Sequence, residues 1–350
     1  MSTDRIAGTP SLTPRQEDIL RAVVDRHISS GQPVGSKHIV GVGGLDWASS
    51  TIRNELHRLE EEGYLKHPHT SAGRVPTEAG YRYYVDRILP RAPLPSTGTD
   101  LARTVGTDLA RVEVHQTLRR LADAISEVTD LLGVVTGPPV ASATVRHVEV
   151  LLLQPQLVAV VVITSTGDIA KRLFAFDRPV DPGLVDWAAA FLNDRVQGLA
   201  VGAHGMPARL ADPSLGPMEQ GFIEAIAPAL VELEEDRAVY VSGQARVLTE
   251  ERRREMSESN GLVRALEERY LLLAVLRGAV EGSRTYLRIG SELPAELSGV
   301  SIVAAGYGPP RRNLGAVSLI GPVRMDYAMA IATVREASHA LSSYVEGVYG

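Results

Sequence analysis

Between Thr13 and Pro76 the chain carries, in close succession, the start and stop signals of three helices and then of two short strands, an order that few small folds accommodate. Thr13, Pro14 and Gln16 make a capping-box start. The threonine hydroxyl can accept from the backbone three residues on, the glutamine can reach back, and proline suits the first helical position, where an N–H has no partner anyway. Ile19, Leu20, Val23, Val24 and Ile28 follow at helical spacing, and Gly31, free to turn left-handed, marks the stop. A short second helix can begin at Ser36 and end at Gly41, Gly43 and Gly44. The third, about Ser49 to Glu62, puts Ile52, Leu56 and Leu59 on one face, and Gly63 closes it.

Tyr64, Leu65 and Lys66, and then Arg74, Val75 and Pro76, read as strands about an exposed turn, His67-Pro68-His69-Thr70-Ser71-Ala72-Gly73. Three helices followed by a β-hairpin is the winged helix-turn-helix arrangement. Thr77 can cap a further helix containing Tyr81, Tyr84, Val85 and Ile88, after which the proline-rich stretch from Pro90 to Ser96 breaks regular structure and sets a first boundary near residue 90.

Beyond it, apolar spacing predicts a long helix from Asp100 to Leu132, ended by Gly133 and Gly137-Pro138-Pro139. Three strands follow, Val145 to Leu153, Leu157 to Thr164 and Ile169 to Phe176, with Thr166-Gly167-Asp168 as a turn. A mostly helical stretch runs from Val185 to Arg237 and an acidic-basic helix from about Val239 to Arg269. Tyr286 to Ile289, Val300 to Tyr307 and Ala316 to Ile320 read as strands, and Met325 to Val348 as a closing helix. The expected class is a multidomain α+β chain.

Composition removes several functions. With 350 residues, 44% of them hydrophobic, there is material for two or three cores. The absence of cysteine excludes disulfides, thiol nucleophiles, zinc ribbons and iron–sulfur clusters formed by this chain. No run of eighteen apolar residues is present for a membrane helix, and Met1 to Pro10 has no apolar core of a secretory signal, so a cytoplasmic location is expected. The net charge of −6 argues against a uniformly basic surface but averages over domains: the first 90 residues balance eleven basic against eleven acidic side chains, and Gly63 to Arg91 holds five basic against two.

The third helix has the more informative polar face. With its apolar side inward, Thr51, Arg53, Asn54, His57 and Arg58 lie around the front. Arginine can bond guanine O6 and N7 together, and asparagine can do the same with adenine N6 and N7. Ser49, Ser50 and the helix N-terminus add donors for a phosphate. The hairpin brings Lys66, His67, His69, Thr70, Ser71 and Arg74 to the same side, a weakly cationic tip. The acidic run Glu60-Glu61-Glu62 should lie at the end of the helix away from DNA. DNA-binding positions are therefore expected at Ser49, Ser50, Thr51, Arg53, Asn54, His57, Arg58, Lys66, His67, His69, Thr70, Ser71 and Arg74.

Other constellations carry less. His67 and His69 alternate on a strand but lack a third metal ligand. Gly41-Val42-Gly43-Gly44 has no preceding strand and the wrong spacing for a dinucleotide loop. Arg252-Arg253-Arg254 sits among glutamates as a solvated helix face. His204, Asp212 and Ser214 include hydrolase residue types without a nucleophile-elbow pattern. Gly321-Pro322-Val323-Arg324 before a helix reads as a structural turn, with an anion site as the alternative. No catalytic set, cofactor site or metal site is expected, so the chain is read as not an enzyme.

The stretch Ser50-Thr51-Ile52-Arg53-Asn54-Glu55-Leu56, continuing to Pro68-His69-Thr70-Ser71-Ala72-Gly73-Arg74-Val75-Pro76-Thr77 and Gly80-Tyr81-Arg82, resembles the heat-inducible transcription repressor HrcA family almost residue for residue. Gly321-Pro322-Val323-Arg324-Met325-Asp326-Tyr327 is a second match, while residues of about 140 to 260 match only in character. Ser50 stands where alanine is common in that family. The resemblance implies a repressor of chaperone operons that binds an inverted-repeat operator, the CIRCE element, as a homodimer on double-stranded DNA, is released on heat stress, and is kept active by a GroEL-type chaperonin. It also implies a winged helix, a GAF-like domain and an inserted dimerising domain. On this sequence these fall at 1–90, at 91–145 with 245–350, and at 146–244, the insertion being guided by its three consecutive strands. Heat response is then expected from marginal stability of the part beyond residue 96. The alternative is a small-molecule-sensing regulator that holds a metabolite between the Tyr286 to Ile320 strands of the GAF-like domain.

Overall fold

A computed structural model of the chain describes residues 12–41, 47–68, 73–105, 114–138, 143–165, 167, 169–201, 203, 205–231, 238–247, 276, 285–309 and 313–349. It begins with α1 (Pro14–Ser30), a 3-10 turn at Ser36–His38, α2 (Ser49–Glu61), β1 (Leu65–Lys66), β2 (Val75–Pro76) and α3 (Glu78–Tyr83), which runs on through a π-turn at Tyr84–Ile88 and a 3-10 turn at Leu89–Arg91. Next come α4 (Leu101–Val105), α5 (Val114–Thr129), β3 (Leu132–Thr136), β4 (Val145–Gln154), β5 (Leu157–Thr164) and β6 (Ile169–Ala175). Helices α6 (Pro182–Val196), α7 (Met206–Leu210), α8 (Pro217–Ile226) and α9 (Pro228–Val231) follow, then β7 (Val239–Ser242) and α10 (Gln244–Val247). The chain closes with β8 (Tyr286–Ile289), β9 (Val300–Tyr307), β10 (Gly315–Pro322) and α11 (Tyr327–Tyr349). Among the described residues no helix is long and apolar enough to cross a membrane.

This is an α+β chain in two compact units. One comprises Met1–Val135, Val241–Tyr307 and Ala316–Tyr344; the other comprises Thr136–Tyr240, Gly308–Gly315 and Val345–Gly350. The first contains the small β1–β2 hairpin and a five-stranded sheet in the order β7-β3-β10-β9-β8, so β8 is an edge strand. Every residue of β10 is buried, and α11 adds Ala330, Val334, Ala337 and Leu341, all fully buried. The second unit is an antiparallel meander, β4-β5-β6, with its own core: Val148, Val150, Val158, Val160 and Val162 on one face pack with Val185, Leu192, Phe222 and Ile226 of the helices. Asn193 on α6 stitches helix to strand by accepting from the Val148 N–H at 2.8 Å and donating to its carbonyl at 2.6 Å.

Two expected helices are corrected. The helix predicted to reach Leu132 ends at Thr129, and Leu132 and Gly133 belong to β3. Asp130 takes φ +55°, a left-handed stop that helical spacing passes over, because Val128 and Leu132 are four apart by coincidence. Gly133 does not end a helix; it lets α5 approach the sheet, since a Cβ there would stand 2.5 Å from the Ala122 carbonyl oxygen. Likewise Val239–Ser242 is a strand where a helix is predicted, its β-branched and aromatic residues joining β3, with Gly243 at φ +84° before α10. The remainder of that predicted helix, 248–269, lies outside the described residues, as do Thr166 and Asp168 of the expected turn.

Tyr84 fastens the end of the helical run to α1, its hydroxyl donating to Asp25 at 2.7 Å. Desolvation raises the Asp25 carboxyl above its ordinary 3.8, against the Tyr84 hydrogen bond and Arg21 and with help from Asp326. A carboxyl raised on folding binds its proton more tightly in the folded state. Its penalty is therefore absent below 3.8 and grows as pH rises through the interval above it. Asp25→Asn should flatten the fall in melting temperature as pH rises above 3.8 relative to the parent. Parallel slopes in the two proteins would remove Asp25 from that effect.

Candidate nucleic-acid interface

The first helix forms as its signals dictate. Thr13 Oγ1 accepts from the Gln16 N–H at 3.3 Å, Gln16 Oε1 accepts from the Thr13 N–H at 2.9 Å, and Gly31 closes the helix at φ +67°. Ile19, Leu20, Val23 and Val24 are fully buried against α2, whose Ile52, Leu56 and Leu59 are buried in turn. That packing fixes which side of α2 faces out.

On the outer side Ser50, Arg53, Asn54, His57 and Arg58 are exposed, and Ser49 and Thr51 are half-buried. Among the described residues the side chains of Arg53 and Asn54 have no hydrogen-bond or ion-pair partner, and nor does exposed Lys66 on β1. The other cations are engaged. Arg58 lies 3.5 Å from buried Glu55, which Arg15 also approaches at 4.0 Å, and His57 lies 3.5 Å from Glu61. The helix starts at Ala48, which has no side chain to bond the first-turn N–H groups, while Ser49 Oγ lies 3.3 Å from Ser36 Oγ. The first turn therefore presents backbone donors and the positive end of the helix dipole.

The hairpin is fastened to this helix through Glu60. Arg74 donates to Glu60 at 2.9 Å and His67 lies 3.7 Å from the same carboxylate. The Arg74 side chain is only 18% exposed. Its backbone exchanges two 2.8 Å hydrogen bonds with Val34, a third strand-like rung, and Gly73 makes that approach possible: a Cβ there would stand 2.5 Å from the Val34 carbonyl carbon. Thus Arg53, Asn54 and Lys66 are exposed and, among the described residues, unpartnered, whereas Arg74 is committed to Glu60. Glu60 lies at the C-terminal end of α2, as expected, and from there it holds Arg74 and His67 of the hairpin. His69, Thr70 and Ser71 lie outside the described residues.

The weaker constellations resolve into structure. Asp212 is held below the ordinary carboxylate range by donations from the Ser214 hydroxyl and N–H and then by Arg195, which is the geometry of a capped turn. Gly321 faces Leu131, whose Cδ2 would stand 2.5 Å from a Cβ, and Arg324 donates to the Ile28 carbonyl at 2.9 Å. Gly43, Gly44, His204 and Arg252 to Arg254 lie outside the described residues. Among the described residues no three metal-ligating side chains gather.

The HrcA protein C-terminal domain model matches residues 115–331. A heat-inducible transcription repressor HrcA of Parafrankia sp. is 34% identical over 345 residues, covering 97% of this chain and 99% of its own. Another with the same description, from Nocardioides sp., is 35% identical over 341 residues, covering 95% and 98%. A crystal structure described as that of a hypothetical protein at 2.2 Å resolution has a similar fold, with a TM-score of 0.63 at 21% identity, and covers 96% of this chain and 99% of its own. A family model spanning most of the chain and relatives aligned nearly end to end agree with the residues seen on α2 and the hairpin: the chain belongs to the heat-inducible transcription repressor HrcA family.

Proposed function

We propose that the chain represses chaperone operons by binding an inverted-repeat operator of the CIRCE type as a homodimer. The N-terminal helices and hairpin act as a winged helix-turn-helix, and α2 enters the major groove. The observation that carries this reading is the pairing on α2 of a fully buried apolar face with an exposed face on which Arg53 and Asn54 have no partner among the described residues. On a rigid helix, an arginine that can donate at two points and an asparagine amide that can accept and donate together suit base edges. The uncapped first turn and Lys66 suit phosphate, and Arg74 holds the hairpin in place. The test is fluorescence anisotropy across a salt series with an inverted-repeat duplex and a scrambled duplex of equal length. Binding to the repeat roughly a thousandfold tighter or more is expected; equal weak binding, with and without chaperonin, would sink the reading.

The dimer is assigned to the outer face of β4-β5-β6, within an inserted dimerising domain, while the five-stranded sheet with α5 and α11 serves as the GAF-like domain. Leu151, Leu153, Ile169 and Leu173 are 43%, 48%, 66% and 54% exposed, and Leu151, Ala159 and Leu173 stand in one cross-strand row. An apolar sheet face of this kind pairs readily with its own copy about a two-fold axis, which in turn demands a palindromic operator. Ile169→Lys with Leu173→Asp is expected to weaken dimerisation roughly a hundredfold by sedimentation velocity while leaving the melting transition in place. A dimer of unchanged strength would move the interface elsewhere.

Release on heat stress follows if folding is marginal near the stress temperature and the chaperonin returns unfolded chains to the active pool. A melting transition far above that range, unmoved by chaperonin, would contradict it. A second reading, ligand-responsive regulation, has support in a cavity of about 480 Å³ beside β8, lined in part by Tyr286, Leu287, Arg288 and Ile331. A metabolite-dependent rise in melting temperature would favour it.

A further inference from the structure

Two of the segments that carry the family likeness, Gly80-Tyr81-Arg82 and Gly321-Pro322-Val323-Arg324-Met325-Asp326-Tyr327, are far apart in sequence and meet in space. The Tyr81 and Tyr327 rings lie 5.7 Å apart, and the buried Tyr327 hydroxyl donates to the Val323 carbonyl at 2.7 Å and lies 2.9 Å from Ser301 Oγ. Around this aromatic contact sits a set of polar fastenings. Arg82 grips Glu292 at two points, Nε to Oε1 at 2.7 Å and Nη2 to Oε2, and Nη2 also reaches the Leu287 carbonyl at 3.2 Å on the edge strand β8. On the same helix, Glu78 accepts from the Ser291 N–H at 3.0 Å and from its hydroxyl at 2.5 Å. At the other side, the Arg324 guanidinium caps the Ile28 carbonyl at the end of α1 and lies 3.4 Å from where a Cβ on Gly31 would stand.

None of these groups is on the outer face of α2, and the ion pair is partly solvated, with side chains 22% and 33% exposed. Partly exposed pairs contribute little stability. A two-point guanidinium–carboxylate grip does fix direction, however, and with Arg324 at α1 the N-terminal module is held at two separated places, which removes rotation about either one. A palindromic operator needs two modules at one spacing and one bearing, while a single half-site does not.

We propose that Glu78, Arg82, Glu292 and Arg324 are positioning residues for operator binding: they set the bearing of the winged helix on the sheet domain and raise affinity for the paired site without touching DNA. The proposal rests on the DNA-binding reading above. It has one measurement that does not. Because the chain has no cysteine, Ser29→Cys on α1 and Glu296→Cys before β9, both exposed, give two unique sites for spin labels. A narrow distance distribution by pulsed electron resonance is expected in this background. It should broaden in Arg82→Ala and, through the other fastening, in Arg324→Ala, with melting curves verifying that each variant folds.

On DNA, the same single variants without labels should lose roughly tenfold or more on the inverted repeat and less than about twofold on a half-site duplex. Distributions that stay narrow in both variants overturn the proposal. So does an equal loss on both duplexes, or tighter binding to the repeat. If the parent protein binds neither duplex specifically, the DNA-binding reading fails, and the positioning role falls with it even where the labels show a rigid joint.

Discussion

Gly80→Ala is expected to destabilise the protein by about 3 kcal/mol, although alanine is ordinarily the better helix former by about 1 kcal/mol. Gly80 lies within α3, where a Cβ would stand 2.2 Å from the Tyr64 carbonyl oxygen and 3.2 Å from its carbon. Neither side has room to retreat. The Tyr64 carbonyl accepts from the Thr77 N–H at 3.0 Å and from the Thr77 hydroxyl at 3.1 Å, and that hydroxyl caps α3 by accepting from the Gly80 N–H at 3.1 Å. Moving the helix out breaks the cap, and moving the strand out breaks the hairpin's seat. Gly221→Ala is the matched control: it sits in α8 with nothing within 4 Å of the added carbon, so a gain of about 0.5 to 1 kcal/mol is expected there. Urea melts of the two variants should move in opposite directions. A neutral Gly80→Ala would mean that α3 and the Tyr64 carbonyl are not in contact as described.

The clash at Gly80 arises from a neighbour sixteen positions away and leaves no local mark in the sequence, whereas other elements do. Helix α1 is legible because its start and stop are local: Thr13 and Gln16 are three residues apart and Gly31 ends the apolar series. The strands β4 to β6 and β8 to β10 are legible because apolar runs between turns leave a short-range trace. Spacing fails at Asp130, where a left-handed residue ends a helix without interrupting the count, and at Val239–Ser242, where a strand is short enough to hide in front of a helical pattern. Long-range polar pairs leave no trace at all. Arg82 and Glu292 are 210 positions apart, and nothing near either announces the other. Arg74 is visible as a charge on a hairpin, but its pairing with Glu60 on α2 is a matter of geometry, and it changes the role of both residues. The proline-rich stretch after residue 90 is likewise visible as a break in regular structure, although contacts from Glu78 and Arg82 continue past it to residues 287–292.

Arg53→Ala and Asn54→Ala are each expected to cost about 1 to 3 kcal/mol at one base pair of the operator, with relaxed specificity at that position and little change on scrambled DNA. Both side chains are exposed on a helix whose opposite face is buried, and neither has a partner among the described residues, so on the proposed reading truncation should remove a contact to DNA and no described contact inside the protein. Lys66→Ala should behave differently, weakening every sequence alike and reducing the slope of log affinity against log salt by about 0.9. Arg74→Ala should behave differently again. Its guanidinium is spent on Glu60, so its loss should lower thermal stability first, and DNA affinity only as the hairpin loosens, with the salt slope nearly unchanged. Four variants thus give three signatures: base-specific loss, uniform salt-linked loss, and loss that follows melting temperature. If Arg53→Ala left specific affinity intact while Arg74→Ala flattened the salt slope, the contact to DNA would run through the hairpin, and α2 would have to be removed from the major groove.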